Sequence, residues 1–261
     1  MKIIVESDQY IEEASALEEK ISGNDIQLEI RYGINGVFLT DGRMQMQGDL
    51  SAMISRITGH NLNRELLVRA AGRIREDRSA EQERVLPDNF DDISRILNQK
   101  HHIALDATAG MGEDSVLLAA AGYEVLMFEK DPVIAALVKD SIRRGRNIPE
   151  LKEAACRMHI FEMNSIDVMK NFSRTCPDVV YLDPMFPERN KSGLVKKKFQ
   201  LLHYLEKPCD DEAELLEAAV CAGPKKIIIK RPLKAPYLAG ARPSYSLSGK
   251  TIRYDVIVKA Q

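Results

Sequence analysis

The fold of this chain is decided by the stretch Asp106-Ala107-Thr108-Ala109-Gly110-Met111-Gly112-Glu113-Asp114. The stretch follows a short apolar run at residues 102–105 and leads into a segment with helical character. The two glycines let the backbone turn sharply and approach a bound nucleotide closely. The pattern therefore predicts a strand, a ligand-binding loop and a helix in succession, with a simple helix-capping turn as the alternative for the glycines alone.

The next predicted strand ends in a carboxylate. Glu129 lies 17 residues beyond Gly112 and follows the apolar run 125–128. A carboxylate at that strand end can accept hydrogen bonds from both hydroxyls of a ribose. We therefore expect the ligand to contain a nucleoside.

The start of the helix after the loop distinguishes between two cofactors. A dinucleotide-binding loop has a third glycine and leaves the helix N-terminus free for a pyrophosphate. Here Ser115 lies three residues after Gly112, and Glu113 and Asp114 occupy the first turn. Two carboxylates repel a diphosphate but tolerate a cofactor that carries a sulfonium and an amino group. The loop thus favours S-adenosyl-L-methionine over NAD, and an NAD-dependent oxidoreductase is the weaker hypothesis.

Short apolar strands alternate with helices around this unit, which predicts an α/β fold with a mostly parallel sheet covered on both faces. We expect strands at 102–105, 124–128, 158–161, 179–182 and 227–229, helices at 90–99, 113–121, 132–146, 199–205 and 212–221, and a C-terminal antiparallel hairpin at 244–247 and 251–258. Residues 1–85 predict a small mixed α+β lobe with strands at 3–5, 26–32 and 37–40 and helices at 10–21 and 62–74. Residues 86–261 form the predicted catalytic domain.

Composition limits the class of protein. Of the 261 residues, 44% are apolar and 29% are charged, which is typical of a soluble globular protein. No stretch approaches the ~20 apolar residues of a membrane span, and Glu6 comes too early for a secretory signal. The four cysteines lack metal-ligand spacing, which predicts reduced thiols, no metal and a cytoplasmic protein.

The net charge of −2 is unevenly distributed along the chain. Residues 1–100 carry 13 basic and 18 acidic side chains, whereas residues 101–261 carry 24 and 21. A polyanion would therefore have to meet a local basic patch.

A second motif, Asp183-Pro184-Met185-Phe186-Pro187, follows the strand at 179–182. With Met185 in place of the second proline, it resembles the [D/N]-P-P-[aromatic] motif of methyltransferases that act on exocyclic amino groups. Asp183 and the carbonyl of Pro184 can accept hydrogen bonds from an amino group, and Phe186 offers a face for stacking a base. Catalysis then depends mostly on aligning the reacting atoms, which makes these three the candidate catalytic residues. The alternative is a proline-rich turn with Phe186 in the core.

Asn164 and Ser165 follow the strand at 158–161, where contacts to an adenine edge are expected. A helix N-cap is the alternative role, and the two roles are compatible.

Two basic clusters lie near the predicted strand ends, where phosphate contacts are plausible and a solvated surface is the alternative. The candidate residues for binding the phosphates of a nucleic acid are Arg189, Lys191, Lys196, Lys197, Lys198, Lys230 and Arg231.

Taken together, the motifs resemble those of the RsmJ (YhiQ) family over about residues 86–258. The segments that carry the resemblance are 106–110, 180–187, 191–192, 194–197 and Lys230-Arg231-Pro232. The resemblance implies a class I (Rossmann-like) methyltransferase that transfers a methyl group from S-adenosyl-L-methionine to N2 of a guanosine near the 3′ end of small-subunit (16S) rRNA. Small-subunit rRNA or the small ribosomal subunit is then the expected partner.

By position, the resemblance also implies a cofactor site. With the loop residues Asp106, Gly110 and Gly112, the expected cofactor-binding residues are Glu113, Asp114, Glu129, Lys130, Asn164, Ser165 and Asp183. Two alternatives stay open: an amino-methyltransferase acting on another RNA or DNA base, and a non-catalytic rRNA-binding assembly factor.

Overall fold

The structure is a computed structural model that describes residues 1–21, 26–74, 102–172, 176–184, 201–205 and 211–259. The predicted helix at 90–99 and the predicted domain boundary near residue 85 lie outside the described residues. The division into two domains therefore stays a prediction.

The N-terminal part contains a four-stranded sheet in the order β1-β2-β3-β4. β1 and β2 are parallel, and the remaining pairs are antiparallel. The elements are β1 (Lys2–Val5), α1 (Ile11–Ile21), β2 (Glu29–Gly33), β3 (Gly36–Thr40), β4 (Gln45–Gln47), α2 (Ile54–Ile57) and α3 (Leu66–Ala71).

The second part contains a seven-stranded sheet in the order β10-β11-β9-β8-β5-β6-β7. β11 is antiparallel to both of its neighbours, and the other pairings are parallel. Its elements are β5 (Ile103–Asp106), α4 (Glu113–Ala120), β6 (Glu124–Glu129), α5 (Pro132–Gly145), α6 (Pro149–Cys156), β7 (Met158–Glu162), α7 (Ser165–Lys170), β8 (Val179–Leu182), α8 (Glu212–Cys221), β9 (Lys226–Pro232), β10 (Tyr245–Ser248) and β11 (Ile252–Val258).

This sheet confirms the predicted α/β fold with a mostly parallel sheet and a C-terminal antiparallel hairpin. β5 and β8 are buried along their whole length, because helices cover both faces of the sheet. The chain runs from β5 outward to β7 and then returns to β8 on the other side of β5. Ligands bind at such a switch point, at the carboxyl ends of the strands.

One local prediction was wrong, and one helix was missed. The single helix expected at 62–74 is interrupted by Glu65, whose extended backbone (φ −64°, ψ 125°) separates a 3-10 turn from α3. The helix α6 was not predicted, since its short, charged sequence has weak periodicity. It is stabilised by burial of Leu151, Ala154 and Ala155.

A buried carboxylate on α5 is one of the contacts that join the two sheets. Asp140 accepts hydrogen bonds from the hydroxyl of Tyr10 (3.0 Å) and the backbone N–H of Val37 (3.0 Å), both from the N-terminal part. It also pairs with Arg143 (2.6 Å) and Arg144 (2.8 Å) on its own helix. The carboxylate therefore fixes the N-terminal sheet against α5.

Candidate active site

The glycine loop is organised around the buried side chain of Asp106, which is 1% exposed. Its carboxylate accepts hydrogen bonds from Ser115 Oγ (2.5 Å) and from the backbone N–H of Thr108 (3.1 Å). Gly110 and Gly112 have φ values of +47° and +77°, the left-handed region that favours glycine. Burial raises the pKa of Asp106 to about 7, against the lowering effect of its two hydrogen bonds.

A cavity opens beside this loop at the carboxyl ends of β5, β6 and β8. Its lining combines the backbone of the glycine loop, carboxylates and apolar side chains: Ala107, Thr108, Gly110, Phe128, Glu129, Lys130, Asp131, Ile134, Met163, Asn164, Ser165, Ile166, Asp183, Pro184, Leu205 and Leu215. Carboxylates suit the ribose hydroxyls and cationic groups of S-adenosyl-L-methionine, and the apolar side chains suit its adenine. The residues that line the cavity therefore fit this cofactor.

Several predicted cofactor residues meet in the wall of this cavity, namely Gly110, Glu129, Lys130, Asn164, Ser165 and Asp183. Asp106, Gly112, Glu113 and Asp114 do not line it among the residues that the structure describes. For these four residues direct contact with the cofactor stays a prediction.

The ends of β6 and β7 present two of the cavity's polar groups. Glu129 Oε1 accepts a hydrogen bond from the backbone N–H of Asp131 (2.9 Å), which caps α5. Asn164 Oδ1 accepts one from the backbone N–H of Ile166 (3.1 Å) and caps α7. The capping role considered for Asn164 is thus observed, and the residue also lies in the cavity wall.

Asp183 is held at the carboxyl end of β8 by two neighbouring elements. Its backbone N–H donates to Thr108 Oγ1 (2.7 Å), which ties the strand end to the glycine loop. Its side chain accepts a hydrogen bond from Lys230 Nζ on β9 (2.8 Å). Burial raises the pKa of Asp183, and the ammonium of Lys230 opposes that rise.

Asp114 belongs to the same network. Its Oδ2 accepts hydrogen bonds from the hydroxyl of Tyr181 (2.7 Å) and from Lys230 Nζ (2.7 Å). One ammonium therefore bridges two carboxylates and shares its positive charge between them. Repulsion of a diphosphate by the helix start is consequently weaker than two unpaired carboxylates would produce.

The two described members of the candidate RNA-binding set lie in structural positions. Lys230 directs its ammonium at Asp114 and Asp183, and Arg231 is 1% exposed and pairs with Glu212 (2.9 Å). Arg231 also donates to the carbonyl of Pro236 (3.2 Å). A buried, paired guanidinium offers no surface to a phosphate, so we correct the role of Arg231 to a structural one. Phe186, Arg189, Lys191, Lys196, Lys197 and Lys198 lie outside the described residues.

Two polar residues of the site were missed by sequence reasoning. Thr108 and Tyr181 lie inside the quoted motifs, but threonine in a loop and tyrosine in a buried strand carry no signal of a distant partner. Each hydrogen bond joins two segments that are more than 60 residues apart in sequence. One feature could have indicated them: each is a hydroxyl-bearing residue near the carboxyl end of a central strand, where ligands are expected to bind.

In the described part of the chain, no group of three or more His, Cys, Asp or Glu is placed to hold a metal ion. None of the helices there has the length and apolar character needed to cross a membrane.

Comparison with known proteins identifies the family. A family model described as "Putative SAM-dependent methyltransferase" matches residues 75–259. Curated relatives called ribosomal RNA small subunit methyltransferase J are 46% identical over 155 residues in Pseudomonas paraeruginosa and 44% identical over 155 residues in Pseudomonas fluorescens SBW25. These matches cover 59% of this chain and 59–60% of the relatives, so they span about three-fifths of the relatives' length.

A solved structure extends the similarity to the whole chain. The SAM-dependent methyltransferase from Neisseria gonorrhoeae is 26% identical, with a TM-score of 0.68, and the match covers 99% of this chain and 96% of that one. The resemblance stated from the motifs is confirmed by the names of the curated relatives. With its family match, its class I fold and a cavity suited to S-adenosyl-L-methionine, the chain belongs to the SAM-dependent methyltransferase family.

Proposed function

We propose that this protein transfers a methyl group from S-adenosyl-L-methionine to the exocyclic N2 of a guanosine in small-subunit (16S) rRNA. The proposal rests on one observation above the others: Asp183 lies in the cavity wall at the carboxyl end of β8 and is held there by Thr108 and Lys230. Support for the substrate comes from the curated relatives, which are called ribosomal RNA small subunit methyltransferases.

The cavity residues divide into two groups by chemistry. Glu129 would bind the ribose hydroxyls, Asn164 and Ser165 would contact the adenine edge, and Gly110 would let the loop backbone approach the cofactor. When bound, S-adenosyl-L-methionine supplies a methyl group made electrophilic by its sulfonium.

Asp183 and Pro184 would orient the amino group of the base. An ionised Asp183 carboxylate and the Pro184 carbonyl accept hydrogen bonds from the two N–H groups and turn the nitrogen lone pair toward the cofactor side of the cavity. Lys230 stabilises the ionised form of Asp183 against the effect of burial. Holding the nitrogen in that orientation lowers the entropic part of the barrier.

The test is transfer of labelled methyl from S-adenosyl-L-methionine to under-modified small ribosomal subunits. Free rRNA, DNA and protein serve as parallel acceptors, and digestion to nucleosides identifies the labelled base. We expect N2-methylguanosine with the wild type and a decrease of about 10³-fold for Asp183→Ala, since the group that orients the amino nitrogen is lost. The variant should still bind cofactor, more weakly.

Exposed Asp167 on α7 provides a matched control, because Asp167→Asn changes a carboxylate outside the cavity wall. Label in a different base or in DNA would show that the proposed substrate is wrong and would identify the actual one. Absence of label in every acceptor, despite cofactor binding, would favour an assembly factor without catalysis. Full activity of Asp183→Ala would refute the proposed role of the carboxylate.

A further inference from the structure

A second cavity, of about 420 Å³, lies between the N-terminal part and the C-terminal strand β11. Its lining combines the apolar Leu66 and Ile252 with the polar side chains of Ser55, Arg56, Asn61, Arg64, Glu65 and Tyr254. The volume lies within the range of small-ligand sites in proteins. Neither the cofactor site nor the packing of the sheet uses this space.

The second cavity adjoins the catalytic network through Tyr254 in its wall. Tyr254 on β11 is the direct cross-strand partner of Lys230 on β9, whose ammonium binds Asp183. The ring of Tyr254 also lies 6.5 Å from the ring of Tyr181, which donates to Asp114. One layer of side chains therefore separates the second cavity from Asp183.

The charges around the second cavity are favourable for an anion. Arg56 and Glu65 form a bidentate pair (2.8 and 2.6 Å) and largely neutralise each other. Arg64 is exposed, and its guanidinium has no hydrogen-bond or ion-pair partner among the residues that the structure describes. It is therefore available to a ligand.

The surrounding surface is basic although the lobe as a whole is acidic. Residues 56–73 contain four arginines and one glutamate, whereas residues 1–55 contain ten acidic and four basic side chains. Arg64, Arg69 and Arg73 are all exposed. A net charge summed over the N-terminal part hides this local excess of positive charge.

We propose that the second cavity binds the RNA strand that flanks the methylated nucleotide, with a backbone phosphate on Arg64 and the continuing strand along Arg69 and Arg73. This inference rests on the proposed function, since it assumes that the substrate is RNA. A phosphate at Arg64 would lie in the same cavity as Tyr254, whose cross-strand partner Lys230 binds Asp183. The N-terminal part thereby positions the substrate strand.

The experiment measures RNA binding separately from methyl transfer. The probes are fluorescently labelled 16S rRNA and a labelled 20-nucleotide single-stranded RNA, titrated with the full-length protein at several salt concentrations. The variants are Arg64→Glu and the double variant Arg64→Ala with Arg69→Ala. Arg43→Ala is the matched control, because Arg43 is an exposed arginine of the same part that does not line the cavity.

We expect Arg64→Glu to weaken binding of both RNAs about tenfold. The double variant should lower the slope of log Kd against log[salt] by about two, since each phosphate contact contributes roughly one. Cofactor affinity and thermal stability should match the wild type, and KM for RNA should rise more than kcat falls. Arg43→Ala should behave as the wild type in every assay.

Two results would separate this inference from the proposed function. If the wild type methylates rRNA and Arg64→Glu binds RNA with unchanged affinity and salt slope, the second cavity is not an RNA site and the inference is overturned. If the wild type methylates no acceptor while Arg64→Glu loses RNA affinity, the proposed reaction fails and the RNA-binding cavity stands.

Discussion

Asp140 and Asp106 are equally buried carboxylates, 2% and 1% exposed, in two different regions of the molecule. Asp140 joins the N-terminal sheet to α5, and Asp106 lies beneath the glycine loop. Burial by itself acts to raise the pKa of both carboxyl groups. At Asp140, hydrogen bonds from Arg144, the backbone of Val37 and Arg143 outweigh burial and lower the pKa, whereas Asp106 keeps a pKa of about 7.

The difference lies in the charge of the partners. Asp140 has two guanidinium partners and two neutral donors, while Asp106 has two neutral donors and the negative charges of Asp114 and Asp183 nearby. A carboxylate whose charge is compensated by cationic side chains in the folded protein stabilises the folded state. A carboxylate without them would be stabilised in its ionised form by a cationic ligand, and a cofactor with an amino group and a sulfonium is a ligand of that kind. Contact between Asp106 and the cofactor stays a prediction.

The first prediction tests the structural carboxylate. Asp140→Asn should lower the free energy of unfolding by about 3–5 kcal/mol at pH 7, because the amide carries no charge for the arginines and has one acceptor oxygen where the carboxylate has two. Since the folded-state pKa is lowered, this stabilisation is present above pH ~4 and is lost as the pH falls through the folded-state pKa. Urea unfolding at pH 7 and at pH 3 measures both effects.

Exposed Asp8 is the matched control for that change. Asp8→Asn should alter the unfolding free energy by less than ~0.5 kcal/mol, as surface substitutions usually do. Equal effects of the two variants would show that Asp140 does not hold the two sheets together.

The second prediction tests the site carboxylate. Because its pKa is raised, folded Asp106 keeps a proton that the unfolded chain releases between pH ~4 and pH 7. The contribution of Asp106 to the free energy of unfolding therefore falls as the pH rises through that window, by at most about 4 kcal/mol. Asp106→Asn should remove this part of the pH dependence.

The measurement is urea unfolding of wild type and variant from pH 5 to pH 8. The difference between their unfolding free energies should change across this range, and Asp167→Asn should show no such change. A constant difference for Asp106→Asn would mean that this carboxylate is ionised throughout, like Asp140.

The third and smallest prediction concerns Lys230, the ammonium that binds Asp183. Lys230→Met removes the ammonium that opposes the effect of burial on Asp183, so the pKa of Asp183 should rise further. The acidic limb of the pH profile for methyl transfer should then move to higher pH by about one unit. Steady-state rates between pH 5.5 and pH 9 test this shift.

Lys225→Met serves as the control, since Lys225 pairs with Asp178 at the opposite end of β9 and is largely exposed. Its pH profile should coincide with that of the wild type. An unmoved limb in Lys230→Met would assign the pH dependence to a group other than Asp183.

Local patterns were sufficient to predict most of the α/β core. The strands around Asp106 and Asp183 are short and continuously apolar, and glycines or prolines follow them, so strand ends and loops could be placed within a few residues. Helix α6 and the break at Glu65 were missed. Their stability comes from burial against distant elements, and periodicity within the segment does not record such contacts.

The residues of the candidate site also divide into those that the sequence predicted and those whose roles it did not. Gly110, Glu129, Asn164 and Asp183 were predicted and line one cavity, because each follows a parallel strand and such strand ends meet at one edge of the sheet. The roles of Lys230 and Arg231 could not be predicted. A lysine or arginine in a basic run resembles a surface phosphate ligand until its partners, here Asp114, Asp183 and Glu212, are known.

The sequence alone determined the fold class, the glycine loop and its acidic partners, because backbone conformation and strand ends depend on residues that are close together in the chain. The tertiary structure alone decided which charges compensate one another: Lys230 between two carboxylates, Asp140 between two sheets, and Arg64 exposed beside the second cavity. Electrostatic energies depend on distance and burial in space, and neither quantity can be read from positions along a chain.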